Sequence, residues 1–362
     1  MPGIDLSQRV LFALSSHGFG HLGQTAPAIQ ALKRQKPEVE IIVRGRLPAY
    51  KLREKLGDDI RIQGADLDIG FVQKDALTID FDKTIQKYEQ FHRQWDTLLH
   101  KEKEALVKTS PDLIVANIPY LIVAAAHQLG IPCIAFSSLN WAEIYQYSFG
   151  QRPESRAILK QMLNAYNQAS CFLRPTPPMK MPDIENVVTI GPLAQIGKDV
   201  SLELRSKLGL ESSEILVLVS LGGMELKAPC ENWPRFSGIH FMVPESWNSR
   251  HPDTSAVETL GYSFVDLLRS SDVLITKPGY GSFVEAACAG TPVLYLPRQQ
   301  WPEAPILVDW LKEQGSCKEV SHEEFQAGYL QNHIHNAMLQ RRHRVIAPSG
   351  IQDAVNKFCE YL

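Results

Sequence analysis

Two apolar runs, Arg9 to Leu14 and Ile215 to Ser220, each pass directly into a glycine-containing stretch, the first at Ser15 to Gly23 and the second at Leu221 to Gly223. A short continuous apolar run is the pattern of a strand buried on both faces. Further runs of this kind follow in the first half, at Val39 to Arg44, Pro111 to Ala116, Pro132 to Ser137 and Val187 to Ile190. The second half repeats the theme at Gly238 to Val243, Asp272 to Thr276 and Pro292 to Leu296. Helical periods lie between them, from Thr25 to Lys36, Tyr120 to Leu129, Glu154 to Gln168 and Val265 to Ser270. Strands alternating with helices predict an α/β chain with parallel sheets covered on both faces. Ligands of such sheets bind beyond the C-terminal strand ends. Residues 78 to 108 read as one long polar helix whose Tyr88, Phe91 and Trp95 form a packing stripe. The segment Arg174 to Pro182 is proline-rich and marks a boundary. An amphipathic helix from Ile351 to Tyr361 is expected near the C-terminus.

With 362 residues, two domains are the default expectation. A net charge of −3 argues against a nucleic-acid partner, which would call for a basic footprint. The basic run Arg341, Arg342, His343 and Arg344 reads as a solvated face or helix end; peripheral contact with anionic lipid is the lesser reading. Cys133, Cys171, Cys230, Cys288, Cys317 and Cys359 are scattered and form no C-x-x-C pair, so they read as reduced thiols of a cytoplasmic protein. Cys133 and Cys288 stand in apolar surroundings and should be buried. No targeting segment is visible. The most apolar window, Tyr120 to Phe136, is interrupted by His127, Gln128, Gly130 and Pro132, which argues against a membrane span of about 20 residues.

The run from Asp272 to Thr276 leads into Lys277, Pro278, Gly279, Tyr280, Gly281 and Ser282, then a small-residue helical segment, then the strand at Pro292. This is strand, glycine turn, helix, strand. Backbone N–H groups at such a helix start suit an anion. Gly279 and Gly281 allow close approach of a ligand and positive φ where needed. Glu285, three residues past Ser282, could accept from a diol but would repel a phosphate. The arrangement suits a diphosphate carrying a ribose; the plain alternative is a tight βα turn.

The stretch Ser15 to Gly23 contains Gly18, Gly20 and Gly23 in G-x-G-x-x-G spacing. A dinucleotide site expects an acid near the end of the second strand, where Arg44 and Arg46 stand instead. Arginines would suit an NADP phosphate, but His17 and His21 crowd the loop where pyrophosphate needs bare backbone. Imidazole suits general-base work, so His17 and His21 are candidates for deprotonating an acceptor hydroxyl; hydrogen bonding to the loop is the plain alternative. Two D-x-D sequences, Asp66 with Asp68 and Asp80 with Asp82, read as solvated loop acids rather than a metal site.

Together these motifs resemble the GT-B glycosyltransferase superfamily, which includes the UDP-glycosyltransferases and the lipid II GlcNAc transferase. Closer still, the chain is similar to GT-B-type proteins that occur alone in bacteria and as the N-terminal region of plant L-arabinokinases. The matching stretches are His17 to His21, Val72 to Thr78, Pro111 to Val115, Asn140 and Trp141 with Ile144 and Tyr145, Lys277 to Gly281, and Tyr295 to Arg298 with Glu303. The resemblance implies two Rossmann-like domains facing across a cleft, with boundaries at 1–193 and 194–345, and a helix at 346–362 packing back toward the first domain. It implies transfer of a sugar from a nucleotide-sugar donor to an acceptor hydroxyl, with no bound metal or permanent cofactor. The acceptor would be a small molecule, a glycan or a lipid-linked group. By the same resemblance His21 is the base; Gly222 and Gly223 touch phosphate or base; Tyr262 lies in the base-binding loop. Lys277, Gly279, Tyr280, Gly281 and Ser282 hold the diphosphate, and Glu285 the ribose. Arg298 and Glu303 approach the donor sugar, and Asp75, Asn140 and Trp141 line the acceptor side. The superfamily often supports its base with an aspartate where this chain has Asn117. An amide can orient an imidazole but adds no charge, which weakens the catalytic expectation. A hydrolase or epimerase on the same fold, or a non-catalytic nucleotide-sugar binder, therefore remain as alternatives. The resemblance is to the part of the arabinokinases that precedes the kinase, so sugar-kinase activity is not carried over.

Overall fold

The computed structural model describes residues 8–73, 78–222, 228–340 and 346–362. Asp75, Gly223 and the basic run at 341–345 lie outside the described residues. The chain divides into two compact units, one built on residues up to 74, 79–192 and 349–362, the other on 75–78 and 193–348.

The first unit contains a seven-stranded sheet of β1 (Arg9–Leu14), β2 (Glu40–Arg44), β3 (Arg61–Gln63), β4 (Leu113–Asn117), β5 (Cys133–Phe136), β6 (Cys171–Pro175) and β7 (Val187–Ile190). Their order is β3-β2-β1-β4-β5-β6-β7, all parallel. The second unit contains β8 (Ile215–Ser220), β9 (Ile239–Val243), β10 (Thr254–Ala256), β11 (Val273–Thr276), β12 (Val293–Tyr295) and β13 (Cys317–Glu319). Their order is β10-β9-β8-β11-β12-β13, also parallel. In each sheet the strand order reverses once, between β1 and β4 and between β8 and β11. Those two points are where an open parallel sheet leaves room for a ligand beyond its strand ends.

The central strands are apolar throughout because helices cover both faces. Val10 to Leu14 and Leu113 to Ala116 have no exposed surface. The C-terminal helix Gly350–Cys359 belongs to the first unit. Its Phe358 is fully buried, edge-on to Phe12 at 5.9 Å and to Phe136 at 5.7 Å. Burial of one such side chain contributes about 2–3 kcal/mol. Asp353 adds a hydrogen bond from Gly191 N at 3.0 Å.

Some boundaries depart from the sequence pattern. The stretch 78 to 108 is two helices, Phe81–Arg93 and Trp95–Thr109, meeting at Gln94. The first helix begins at Gly20 rather than at Thr25. Glycines lower helix propensity, but tertiary bonding overrides it here. Gly23 N bonds Phe19 O at 2.9 Å, and Thr25 Oγ1 donates to His21 O at 2.8 Å. His21 thus sits on a rigid helical turn instead of a loop. Among the described residues no helix is long and apolar enough to cross a membrane.

Candidate functional site

In the first unit the candidate side chains collect at the C-terminal ends of β1, β4 and β5. Asn117 ends β4 and pairs with Leu14, the last residue of β1. Its Nδ2 donates to Gln24 Oε1 at 3.0 Å and to Thr25 Oγ1 at 2.8 Å. With both amide hydrogens used, its Oδ1 is the atom facing His21 Nδ1 at 2.8 Å. His21 Nδ1 must then be the donor, so the second ring nitrogen, Nε2, carries a lone pair. Burial lowers the His21 pKa to about 4, opposed only by the Asn117 hydrogen bond. The ring is therefore neutral at physiological pH, and the proton it would take in catalysis finds no countercharge on Asn117. That is the physical content of the amide where an aspartate is usual.

His17 is partly buried and held differently. Phe71 N donates to its Nδ1 at 3.2 Å, which places its proton on Nε2. That nitrogen stands 3.3 Å from the Gln73 side-chain amide. Gly70, at φ +57°, lies so close that a Cβ would meet the His17 ring at 2.8 Å.

Trp141 ties the two histidines together. Its ring lies edge to face with His17 at 5.2 Å and with His21 at 5.6 Å, and it has no exposed surface. It therefore scaffolds the histidines rather than offering a face to a ligand. Asn140 is also buried and caps the helix Trp141–Phe149, accepting from Glu143 N at 2.8 Å.

Of the two D-x-D pairs, Asp66 and Asp82 are exposed as solvated acids would be, whereas Asp68 and Asp80 are partly buried and correct that reading. Asp66 is exposed, paired with Arg46 at 2.7 Å. Asp80 caps the helix Phe81–Arg93, accepting from Lys83 N at 3.0 Å. Asp68 is partly buried, and its Oδ2 accepts from Trp141 Nε1 at 2.7 Å. Burial raises its pKa to about 6, against hydrogen bonds from Ser15 and Trp141. The sequence reading missed this residue, because nothing near Asp68 in the chain signals an indole 73 positions away.

In the second unit the switch point lies between Ser220 of β8 and Thr276 of β11, which are paired in register. Thr276 Oγ1 donates to Ser220 O at 2.6 Å and fixes the two strand ends. Gly222 follows at φ +84°, and a Cβ there would meet Lys277 Cε at 3.2 Å. The lysine stem therefore runs over Gly222 and brings its ammonium across the switch point. Gly279 caps the helix Tyr280–Ala289 with no side-chain acceptor, and the first turn carries no acid. Among the described residues no side chain caps the positive end of this helix, an arrangement that suits an anion.

The turn glycines are not there for positive φ. Gly279 is extended, at φ −153°, and Gly281 is not among the left-handed glycines. A Cβ on Gly281 would meet nothing within 4 Å, and one on Gly279 only Lys277 O at 3.8 Å. Among the described residues nothing requires glycine at either position. The Tyr280 side chain is buried, its hydroxyl accepting from Leu193 N at 3.1 Å. Ser282 and Glu285, three residues apart on this helix, are partly exposed. Gly261, at φ +76°, and the partly exposed Tyr262 precede the helix Phe264–Ser270.

Beyond β12, Arg298 stacks over Trp301 at 4.0 Å. Trp301 Nε1 donates to Glu303 Oε2 at 3.2 Å, and both residues are buried. Burial lowers the Arg298 pKa to about 10, with Glu303 opposing the shift, so the guanidinium stays charged. Trp301 was not anticipated from sequence; its spacing after Arg298 was the available signal.

No family model matches the chain. L-arabinokinase of Arabidopsis thaliana is 24% identical over 319 residues, covering 84% of this chain and 30% of that protein. The chain thus spans less than a third of that relative. An uncharacterized glycosyltransferase of Methanopyrus kandleri is 22% identical over 240 residues, covering 62% of this chain and 68% of that protein. Among solved structures, the glycotransferase of kitacinnamycin superposes with a TM-score of 0.64 at 14% identity, covering 99% of this chain and 100% of that one. Os79 from O. sativa in complex with UDP gives 0.58 at 13% identity, covering 98% and 100%. UDP-N-acetylglucosamine 2-epimerase gives 0.53 at 12% identity, covering 98% and 96%. At these identities the likeness is one of fold, and it extends over nearly the whole chain.

Proposed function

We propose that the chain, which has the GT-B fold of these glycosyltransferases, moves a sugar from a nucleotide-sugar donor to an acceptor hydroxyl. The observation that carries this reading is the turn from Lys277 to Ser282. It combines a helix end without a side-chain cap, a lysine at the switch point, and two glycines that no described neighbour requires. In this reading the diphosphate rests on Gly222, Lys277 and the backbone of Gly279 to Ser282. Glu285 takes the ribose, Tyr262 packs by the base, and Arg298 and Glu303, braced by Trp301, meet the sugar. Gly223 and Asp75 keep the donor and acceptor roles implied by resemblance.

His21 Nε2 removes the proton of the acceptor hydroxyl, whose oxygen forms the new bond to the anomeric carbon. The bond from that carbon to the diphosphate breaks, and the electron pair leaves with the diphosphate. Lys277, Arg298 and the helix end stabilise that charge, the part a divalent metal plays elsewhere. Asn117 holds the imidazole and its tautomer. His17 acts through Trp141 and the loop around Gly70.

A second reading, a non-catalytic binder of nucleotide sugars, is favoured by one observation. Asn117 gives no charge to a histidine whose pKa already lies near 4. A hydrolase or epimerase is the third, given the fold shared with the 2-epimerase.

Thermal melting with a panel of nucleoside diphosphates tests the donor assignment common to all three. Ligand at about 100 times its Kd adds roughly 2.7 kcal/mol, a rise of about 2–4 °C. UDP, or one other member of the panel, is expected to give that rise. A folded protein that responds to none of them refutes the donor site.

A further inference from the structure

Asp68 is held by two neutral donors, the Trp141 indole and the Ser15 hydroxyl. A carboxylate has about four lone-pair sites, so these donors leave part of its capacity unused. Asp68 as a residue is partly rather than fully buried. Among the described residues no Lys or Arg forms an ion pair with it. The loop carrying it closes over His17 at Gly70 and Phe71. His21 touches the same indole that donates to Asp68. The tautomer set by Asn117 leaves His21 Nε2 as an acceptor, whereas His17 presents an N–H toward Gln73. Among the described residues around Trp141, Asp68 and His21 Nε2 are therefore the groups with acceptor capacity left over.

Two acceptors bordering one ring call for a ligand with two neighbouring donors. We propose that Asp68 and His21 Nε2 together read two adjacent hydroxyls of the acceptor, which is then a vicinal diol of the sugar or polyol class. His21 takes the hydroxyl that becomes glycosylated, and Asp68 binds the one beside it. This deepens the transferase reading and rests on it. Asp68 thus determines which acceptor is used, and the carboxylate need not gain or lose a proton in the transfer.

The test uses methyl glycosides of common pentoses and hexoses, each beside its monodeoxy analogues. Binding is followed by saturation-transfer NMR on the wild-type chain and on Asp68→Asn, with and without UDP. Asparagine keeps the shape and an oxygen for the Trp141 N–H but removes the charge. At least one diol-bearing glycoside should bind the wild type. Loss of one hydroxyl of its diol should weaken it about tenfold or more, the weight of a hydrogen bond to a charged group. Asp68→Asn should weaken the parent glycoside by a similar factor while UDP affinity, measured in parallel, stays within about twofold. Equal affinity in Asp68→Asn, or deoxy analogues that bind as well as the parent, would overturn the assignment. So would a wild type that binds UDP but none of the glycosides. If UDP fails to bind, the donor reading falls, and the glycoside arms without UDP still decide the role of Asp68.

Discussion

Replacing His21 with Ala should lower turnover by about 10²–10⁴-fold, the usual contribution of a positioned general base. Affinity for UDP should be unchanged, because in the proposed reading His21 meets the acceptor and the Lys277 to Ser282 turn meets the diphosphate. The prediction has a pH component. The folded-state pKa of His21 lies near 4, below the ordinary value of 6.5, so the ring stays unprotonated down to that range. Activity that depends on its lone pair should therefore not fall between pH 7 and pH 5 on account of His21. An acidic limb set by protonation of His21 would appear only as the pH approaches about 4. The same shift makes the fold favour the neutral ring. Its contribution to stability is present above the unfolded value of 6.5 and is lost as the pH falls from 6.5 through about 4. Kinetics of the wild type and His21→Ala at pH 5 and pH 7 check both parts. Unchanged turnover in the variant removes His21 from the mechanism.

Gly279→Val should reduce UDP affinity by more than about 100-fold, the loss of several charge-assisted hydrogen bonds at once. The backbone at Gly279 is extended and a Cβ has room, so valine is compatible with the fold. Giving up glycine at a helix cap costs only about 1 kcal/mol. The unliganded variant should then melt within a few degrees of the wild type. Its two added methyl groups would stand where the diphosphate must approach the backbone. Calorimetric titration with UDP, with melting of the free protein as control, separates the effects. Normal affinity in a folded Gly279→Val chain would sink the diphosphate assignment.

How far the sequence discloses these features follows from the physics of each. The central strands are legible because burial on both faces leaves a continuous apolar run, as in Val10 to Leu14. The edge strands are harder. Arg61–Gln63 and Cys317–Glu319 are three residues each and carry polar side chains, so their pattern is that of a loop. The glycine turn before Tyr280 is legible because strand, glycines and helix are contiguous. Its sequence allows positive φ at both glycines, whereas in the structure neither adopts it. The pattern sets the start of the first helix too late because its first turn is fixed by Asn117, 96 positions from His21. Asp68 escapes a local reading for the same reason. Its partner is Trp141, and no local pattern encodes a contact between distant loops.

The most direct measurement of the central claim is product analysis with a donor that binds, in the presence and absence of a diol-bearing acceptor. A transferase with His21 as base releases nucleoside diphosphate only when acceptor is present, with the sugar recovered on the acceptor. Free or epimerised sugar released without acceptor would identify a hydrolase or epimerase. Donor that binds yet stays intact with every acceptor would identify a sensor. Either result would contradict a transferase.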